Sequence, residues 1–423
     1  MERSSRMSGF YNLSLEEKLS RVKEFAGLTD EECEAIKLGR PSLDAVENMA
    51  ENVIGVIGIP LGIATNFVIN GKDYLIPMAT EEPSVIAAAS NGAKIARRKG
   101  GFFTTSTDPL MEVQIQTVKV SDPHASRNKI MENKDEIIRL ANTQDPALIE
   151  LGGGARDVEV RIVDGRLGRM LVTHLTVDTK DAMGANTVNR MAEYIAPFIE
   201  KITGGKVYLR VVDNYAIKRL ARARAVFDKE ALGGEAAVDG MIYGYDCAYS
   251  DPHRATGHNK GTTNGISAVV LATGNDTRAI ESGYHAYAAR DGQYRALPVW
   301  EKNADGDLVG TLELPVAVGI VGGMSHAHPV ARAALKILGV KSSRELGEIL
   351  AAVGLAQKVA AERALAMEGI MYGHTKMHAR SIATMAGAEG QEVKQIADIM
   401  IKEGKVRFDH AKEMVAARKS KGE

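Results

Sequence analysis

The sequence predicts an α+β fold in which a ferredoxin-like module interrupts a larger, helix-rich body. Three observations lead there. From Glu112 to Val212 the periodicity reads strand, helix, strand, strand, helix, strand, the order of a split βαβ unit. On either side, helical patterns dominate, ending in a long amphipathic run from Glu345 to Glu368. No GxGxxG follows any strand-like run, so the ordinary Rossmann fingerprint is missing.

The chain has 423 residues, long enough for two or three domains and a large core. A hydrophobic fraction of 45% and a charged fraction of 25% are those of an ordinary globular protein. With a net charge of −1, no global field draws it to nucleic acid or to an anionic membrane. Cys33 and Cys247 are too few for a disulfide framework, which fits a reducing cytoplasm. Met1 to Gly9 lacks the apolar stretch of a signal peptide, and Val53 to Ala64 is too short to span a bilayer. A cytoplasmic protein is expected.

In chain order, Ser14 with Glu17 and Thr29 with Glu32 are capping-box patterns that open two short helices between residues 14 and 37. Val53 to Ala64 reads as a buried strand and turn. Val68 to Pro77 reads as a hairpin about Asn70-Gly71. Glu81-Glu82-Pro83-Ser84 precedes an Ala-rich helix reaching Lys99, with Pro83 at its first position.

The module begins with a strand over Val113–Val120, followed by a charged helix over Ser126–Asn142. Strands at Val158–Asp164 and Met170–Val177 flank Asp164-Gly165, a hairpin signal, and a helix runs from Val188 to Ile202 before the Gly204-Gly205 stop. Val207–Val212 closes the module. Beyond Asp213 mixed helix and turn are expected, with Arg254 to Asn264 as a polar loop that faces solvent or lines a site.

The turn Asp181-Ala182-Met183-Gly184-Ala185-Asn186-Thr187 joins a strand to a helix. Unpaired amides and the macrodipole at a helix start favour an anion, Gly184 lets a ligand approach the backbone, and Asn186 or Thr187 can cap the helix. The two adjacent carboxylates of Glu81 and Glu82 suit a charged helix start, or an acid with a raised pKa if they are partly desolvated. His326 and His328 lie at i and i+2, too few ligands for a metal site.

Together, Glu51–Val56, Glu81–Ser84, Gly152–Asp157, Asp181–Asn189, His258-Asn259-Lys260-Gly261, Gly274-Asn275-Asp276 and Gly373-His374 resemble the class II 3-hydroxy-3-methylglutaryl-CoA (HMG-CoA) reductases. The resemblance covers about Asn12 to Ala411. It implies a four-electron interconversion of HMG-CoA with mevalonate and CoA, through mevaldyl-CoA and mevaldehyde. Lys260 then stabilises the oxyanion, Glu82 supplies a proton to the aldehyde, Asp276 couples the two, and His374 protonates the departing thiolate. Ser84, Arg254 and Asn264 hold the hydroxymethylglutaryl part, Arg254 through its free carboxylate.

The resemblance also places a nicotinamide cofactor at Asp181, Met183, Gly184, Asn186 and Thr187. Asp145 stands where relatives using NAD carry an acid, so NAD is expected over NADP; Arg156 and Arg190, near in sequence, are the residues that would serve a 2′-phosphate. No metal is expected. The implied organisation is a large substrate and dimerisation domain (1–107 and 213–368), a small cofactor domain (108–212) and a C-terminal flap (369–423). Glu51–Val56 matches a dimerisation segment, which implies a homodimer, or an assembly of dimers, with sites shared between subunits. The competing classes are a non-redox CoA-thioester transferase or hydrolase, for which no GxSxG-type nucleophile motif is present, and a catalytically silent nucleotide-binding regulator.

Overall fold

The computed structural model describes residues 4–367 and 370–419, with the side chains of 370–377 and 419 outside that description. Both predicted capping boxes form. Ser14 and Glu17 bond reciprocally at the start of α1 (Leu15–Ala26), and Thr29 and Glu32 do so at α2 (Asp30–Leu38). After the short α3 (Leu43–Glu47), residues 51–60 form neither helix nor strand. Ile54 and Ile57 are fully exposed there, at 105% and 90%, so the buried strand expected from Val53 is not formed until Leu61. Gly55, Gly58 and Pro60 interrupt any ladder this run could join.

The hairpin β1 (Leu61–Ile69) and β2 (Lys72–Ala79) turns at Asn70 and Gly71, both at positive φ (49° and 78°), as a type I′ turn requires. Helix α4 (Val85–Arg97) starts two residues beyond Pro83. Ser84 is its N-cap, in the left-handed region at φ 78°, so Pro83 lies in the preceding turn. Strand β3 (Phe102–Ser106) then pairs parallel to β1.

The inserted module runs β4 (Leu110–Val118), α5 (Pro123–Glu132), α6 (Lys134–Asn142), α7 (Pro146–Glu150), β5 (Gly154–Gly165), β6 (Gly168–Asp178), α8 (Ala185–Thr203) and β7 (Lys206–Val212). Its sheet order, β5-β6-β4-β7 with every pair antiparallel, is the ferredoxin-like topology. The expected single helix breaks in two at Asn133. The hairpin turn falls at Arg166-Leu167 instead of Asp164-Gly165, because Gly165 still pairs with Gly168. Met111, Val113, Ile115, Leu171, Leu175 and Val177 form one face of the sheet and are buried with the helices' Ile130, Ile137, Met191 and Ile195.

The remainder is β8 (Leu220–Phe227), α9 (Lys229–Leu232), α10 (Glu235–Ser250), α11 (Pro252–Ala272), α12 (Thr277–Ala288), β9 (Val299–Lys302), β10 (Leu308–Pro315), α13 (Gly323–Ala327), α14 (Pro329–Leu338) and α15 (Ser343–Met367). The strands beyond Asp213 were not apparent from the sequence; they complete a mixed sheet ordered β2-β1-β3-β8-β10-β9. Helix α15 buries more than the single face expected of it. Every residue from Ile349 to Val359 is buried, because Ala351, Ala352, Gly354 and Ala356 let neighbours close in on all sides. The tightest approach is Gly92 of α4, where a Cβ would stand 2.0 Å from the carbonyl oxygen of Ala356.

Helices α16 (Ile370–Met385), α17 (Gln391–Lys402) and α18 (Phe408–Lys419) carry their own small apolar cluster of Ala379, Ala383, Ile396, Met400 and Val415. Among the described residues no helix is long and apolar enough to cross a membrane. The C-cap expected at Gly369 lies outside the described residues.

Candidate active site

The expected polar loop from Arg254 to Asn264 is helical. Asp251 caps α11 by accepting from the His253 amide at 3.0 Å, with Pro252 at the first position. Gly, Asn and Thr are weak helix formers, so tertiary packing sets this element. Ala255, His258, Asn259, Thr262 and Ile266 are buried, while Lys260 remains 60% exposed.

Lys260 and Asn264, one turn apart on α11, converge on a single oxygen. Nζ of Lys260 donates to Oε2 of Glu82 at 2.8 Å, and Nδ2 of Asn264 donates to the same atom at 3.4 Å. Glu82 sits two residues before Ser84, which holds its left-handed φ without any side-chain cap bond. A non-glycine residue in that region stores about 1–3 kcal/mol of strain, a feature that concentrates at functional sites. The Glu82 side chain is 36% exposed, so the desolvated acid anticipated from the sequence is not formed by the described residues of one chain.

Arg254 lies a turn and a half before Lys260. Its Nη2 donates to Oε1 of Glu362 on α15 at 2.8 Å, and the side chain as a whole is 28% exposed. Asp276 is elsewhere. Its carboxylate caps α12 through the amides of Arg278 and Ala279 and pairs with the Arg278 side chain at 3.2 Å. Among the described residues, no hydrogen bond or ion pair joins it to Lys260 or Glu82. His374 falls in the first turns of α16, and its side chain lies outside the described residues.

Asp276 instead lines a cavity of about 1020 Å³ together with Met183, Gly184, Asn186 and Thr187. Gly184, at φ 101°, is the N-cap of α8 and no side chain caps the helix, which corrects the expectation for Asn186 or Thr187. The first-turn amides thus keep the unpaired donors an anion needs. A Cβ on Gly184 would meet Thr179 at 2.4 Å. Thr187 is committed elsewhere: its hydroxyl donates to Oδ2 of Asp145 at 3.1 Å, and Arg190 donates to the same oxygen at 3.0 Å. Asp145 also caps α7 through the Leu148 amide, so its turn role and its place beside α8 coexist. Asp181 holds the turn to the body of the protein, accepting from the Ser343 amide at 2.8 Å.

Sequence reasoning missed Arg219. It is 5% exposed and donates to the carbonyls of Ala182 and Met183, at 3.2 and 3.1 Å, and to that of Val318 at 2.5 Å. Burial lowers its pKa to about 10, still well above neutrality. A permanent cation therefore braces the turn from behind. Nothing local marks it; its partners lie about 36 and 99 residues away. Two possible metal sites fare poorly. His326 is exposed and His328 caps α14 through the Val330 amide. Glu112, His174 and Asp213 converge, but the ammonium of Lys218 already pairs with Glu112 at 3.1 Å, and Arg161 donates to the other ring nitrogen of His174.

The chain matches the family described as hydroxymethylglutaryl-coenzyme A reductase over residues 14–379. It is 56% identical over 412 residues to the 3-hydroxy-3-methylglutaryl-coenzyme A reductase of Archaeoglobus fulgidus, covering 97% of this chain and 94% of that one. A probable reductase of the same name from Borreliella burgdorferi is 35% identical over 88% of this chain and 85% of its own length. Among solved structures, the Streptococcus pneumoniae reductase aligns with a TM-score of 0.83 at 36% identity, covering 97% of this chain and 99% of that one. A class II structure from the same organism, bound to NADPH in open conformations, aligns at 0.82 and 36% identity over 96% of this chain and all of the other.

Proposed function

The chain belongs to the hydroxymethylglutaryl-coenzyme A reductase family, and from that premise we propose how its residues divide the work. The reaction is the NAD(P)H-dependent interconversion of HMG-CoA with mevalonate and CoA, for which two molecules of the nicotinamide cofactor, bound in turn, would each supply one hydride. A non-redox transferase or hydrolase is not favoured. The observation that carries the assignment of roles is the convergence of Lys260 and Asn264 on one oxygen of Glu82.

When the thioester carbonyl is reduced, its oxygen takes on negative charge, and the Lys260 ammonium stands ready to stabilise it. The hemithioacetal collapses to mevaldehyde and a CoA thiolate. His374 protonates that thiolate, a favourable transfer from an imidazole of pKa about 6.5 to a thiol of about 8.5. In the second reduction Glu82, bonded to Lys260, gives its proton to the aldehyde oxygen while Lys260 again faces the charge. Ser84, Asn264 and Arg254 hold the acid part of the substrate, with Arg254 against the free carboxylate.

The uncapped start of α8, in the cavity lined by Met183 to Thr187, would hold the cofactor's pyrophosphate. The residues fit that group: free amides, a backbone that only glycine permits at 184, and the Arg219 brace behind. We assign NAD in preference to NADP. Asp145 presents a carboxylate beside the first turn of α8, and the two candidate phosphate partners are engaged, Arg190 with Asp145 and Arg156 with Asp178 at 3.5 Å. Initial rates with NADH and NADPH, in both directions, test this; a higher kcat/KM for NADPH overturns it.

A homodimer completes the site. Asp276 lies with the cofactor turn while Glu82 and Lys260 lie together elsewhere, so we assign the two groups to different subunits of one site. The exposed Ile54 and Ile57 give an apolar segment for the contact. Mixing inactive Lys260→Ala and Asp276→Ala subunits should then restore about a quarter of the wild-type rate. Half of the dimers are mixed, and each holds one intact site of two. No recovery would place all three residues in one subunit. On this reading residues 1–107 and 213–368 form the substrate and dimerisation part, 108–212 the cofactor part, and 369–423 a flap that lets the cofactor exchange between the two reductions.

A further inference from the structure

Behind Arg254 lies a group of ionisable side chains sealed from water. Glu362, Lys358 and His258 are 2%, 1% and 0% exposed, and Lys358, His258 and Arg254 all approach one carboxylate oxygen of Glu362. Oε1 of Glu362 accepts from Arg254 at 2.8 Å, is paired with the Lys358 ammonium, and lies 3.2 Å from Nδ1 of His258. Burial opposes charge on Glu362, but His258 and Lys358 hold its pKa down to about 2. Burial lowers Lys358 to about 8 and His258 to about 4, so near neutrality the lysine is largely charged and the histidine neutral. Two cations therefore share one anion. Among the described residues the group is one negative charge short, and Arg254 is the member that reaches solvent.

Glycines inside two helices clear the space. A Cβ at Gly244 of α10 would lie 3.2 Å from Oε2 of Glu362. At Gly257 of α11 it would lie 3.3 Å from Nη1 of Arg254, and at Gly261 3.6 Å from Nζ of Lys358. Glycine in a helix interior is unfavourable relative to alanine, so its presence beside these charges calls for a local cause. Gly257 has one: a side chain there would crowd Nη1 of Arg254, whose Nη2 donates to Glu362.

We propose that Glu362 is a positioning residue that fixes the Arg254 guanidinium in the slot over Gly257, so that its free edge receives the terminal carboxylate of the substrate. The proposal rests on the reading of Arg254 as the carboxylate partner. The substrate carboxylate then supplies the negative charge the buried group lacks. A fixed planar fork recognises a carboxylate better than a mobile one, because less freedom is lost on binding. Lys358 keeps the group net positive, so an uncharged end in place of the carboxylate leaves the deficit unfilled.

The test is discrimination between HMG-CoA and 3-hydroxy-3-methylbutyryl-CoA, the same thioester without the terminal carboxylate, read as the ratio of dissociation constants by calorimetry on the full-length protein. Glu362→Gln should lower the preference for HMG-CoA at least tenfold while binding of the carboxylate-free analogue changes little. Gly257→Ala should lower it in the same way with an unchanged or raised Tm, whereas a purely structural glycine would leave the ratio alone. If Glu362→Gln fails to fold, Gly257→Ala decides. If Arg254→Gln collapses the ratio while Gly257→Ala and any folded Glu362→Gln keep it at the wild-type value, the positioning role is overturned and the Arg254 reading stands. If Arg254→Gln also keeps the ratio, the Arg254 reading falls and the proposal with it.

Discussion

Helix α11 carries two ionic arrangements less than two turns apart, and they are built in opposite ways. Lys260 meets Glu82 in the open, at 60% and 36% side-chain exposure. Arg254 meets Glu362 at the edge of a sealed group whose carboxylate is 2% exposed. An exposed pair is worth little to stability, typically about 0–1 kcal/mol, so its members are free to exchange protons and partners during a reaction. A buried group broken at one member costs about 3–5 kcal/mol, so its members stay where they are. One helix thus presents a pair that can change and a frame that holds.

The sharpest way to break this contrast is at Lys260. Lys260→Ala should lower kcat by about 10²–10³ or more, the scale of a lost oxyanion donor, with almost no change in Tm. Substrate affinity should fall far less than rate. A variant retaining a tenth of the wild-type kcat would remove Lys260 from the chemistry. His374→Gln should produce a narrower loss: about 10² in the release of CoA from HMG-CoA, with reduction of added mevaldehyde spared. Equal losses in both half-reactions would make His374 structural.

The sealed group should show itself in acid. The pKa of Glu362 is about 2 when folded against an ordinary 4.5, and that of His258 about 4 against 6.5. Both are depressed, so the unfolded chain binds more protons as pH falls and stability is lost progressively from about pH 6.5 downward. Glu362 alone accounts for on the order of 3 kcal/mol of that loss between about pH 4.5 and 2. Urea titrations across this range should show a clearly flatter pH slope for Glu362→Gln than for the wild type. The smallest effect is expected at Asp145. Asp145→Ala should raise KM for NADH and narrow its preference over NADPH by about tenfold, because a repulsive carboxylate has gone.

What could be read in advance follows the range of the interactions. Capping boxes and the Asn70-Gly71 turn depend on residues within a few positions of each other, and they formed; the element order of the small module was legible because each strand and helix carries its own periodicity. The residue types of the open pair were also legible, though only the fold brings Glu82 to Lys260 across 178 positions. Helix α11 was misread because its composition is that of a loop; its helical state comes from burial of Ala255, His258, Asn259 and Ile266. Glu362 and Lys358 stand four apart on α15, and only the packing around that helix reveals that they are interior. Gly184 was read as a place of ligand approach; that it is also the N-cap depends on a backbone angle the sequence does not state.

The close approach of Gly92 to the carbonyl of Ala356 ties the helix that follows Glu82 to the helix that carries Glu362. In a saturation library, position 92 should accept no residue but glycine, since any Cβ would stand 2.0 Å from a backbone oxygen that has nowhere to go. Lys260 should show the reverse pattern, tolerant in a screen for expression and intolerant in one for turnover. Sequence drift is thus constrained most tightly at a position with no functional group at all, and a survey of tolerated substitutions would find the frame before it found the chemistry.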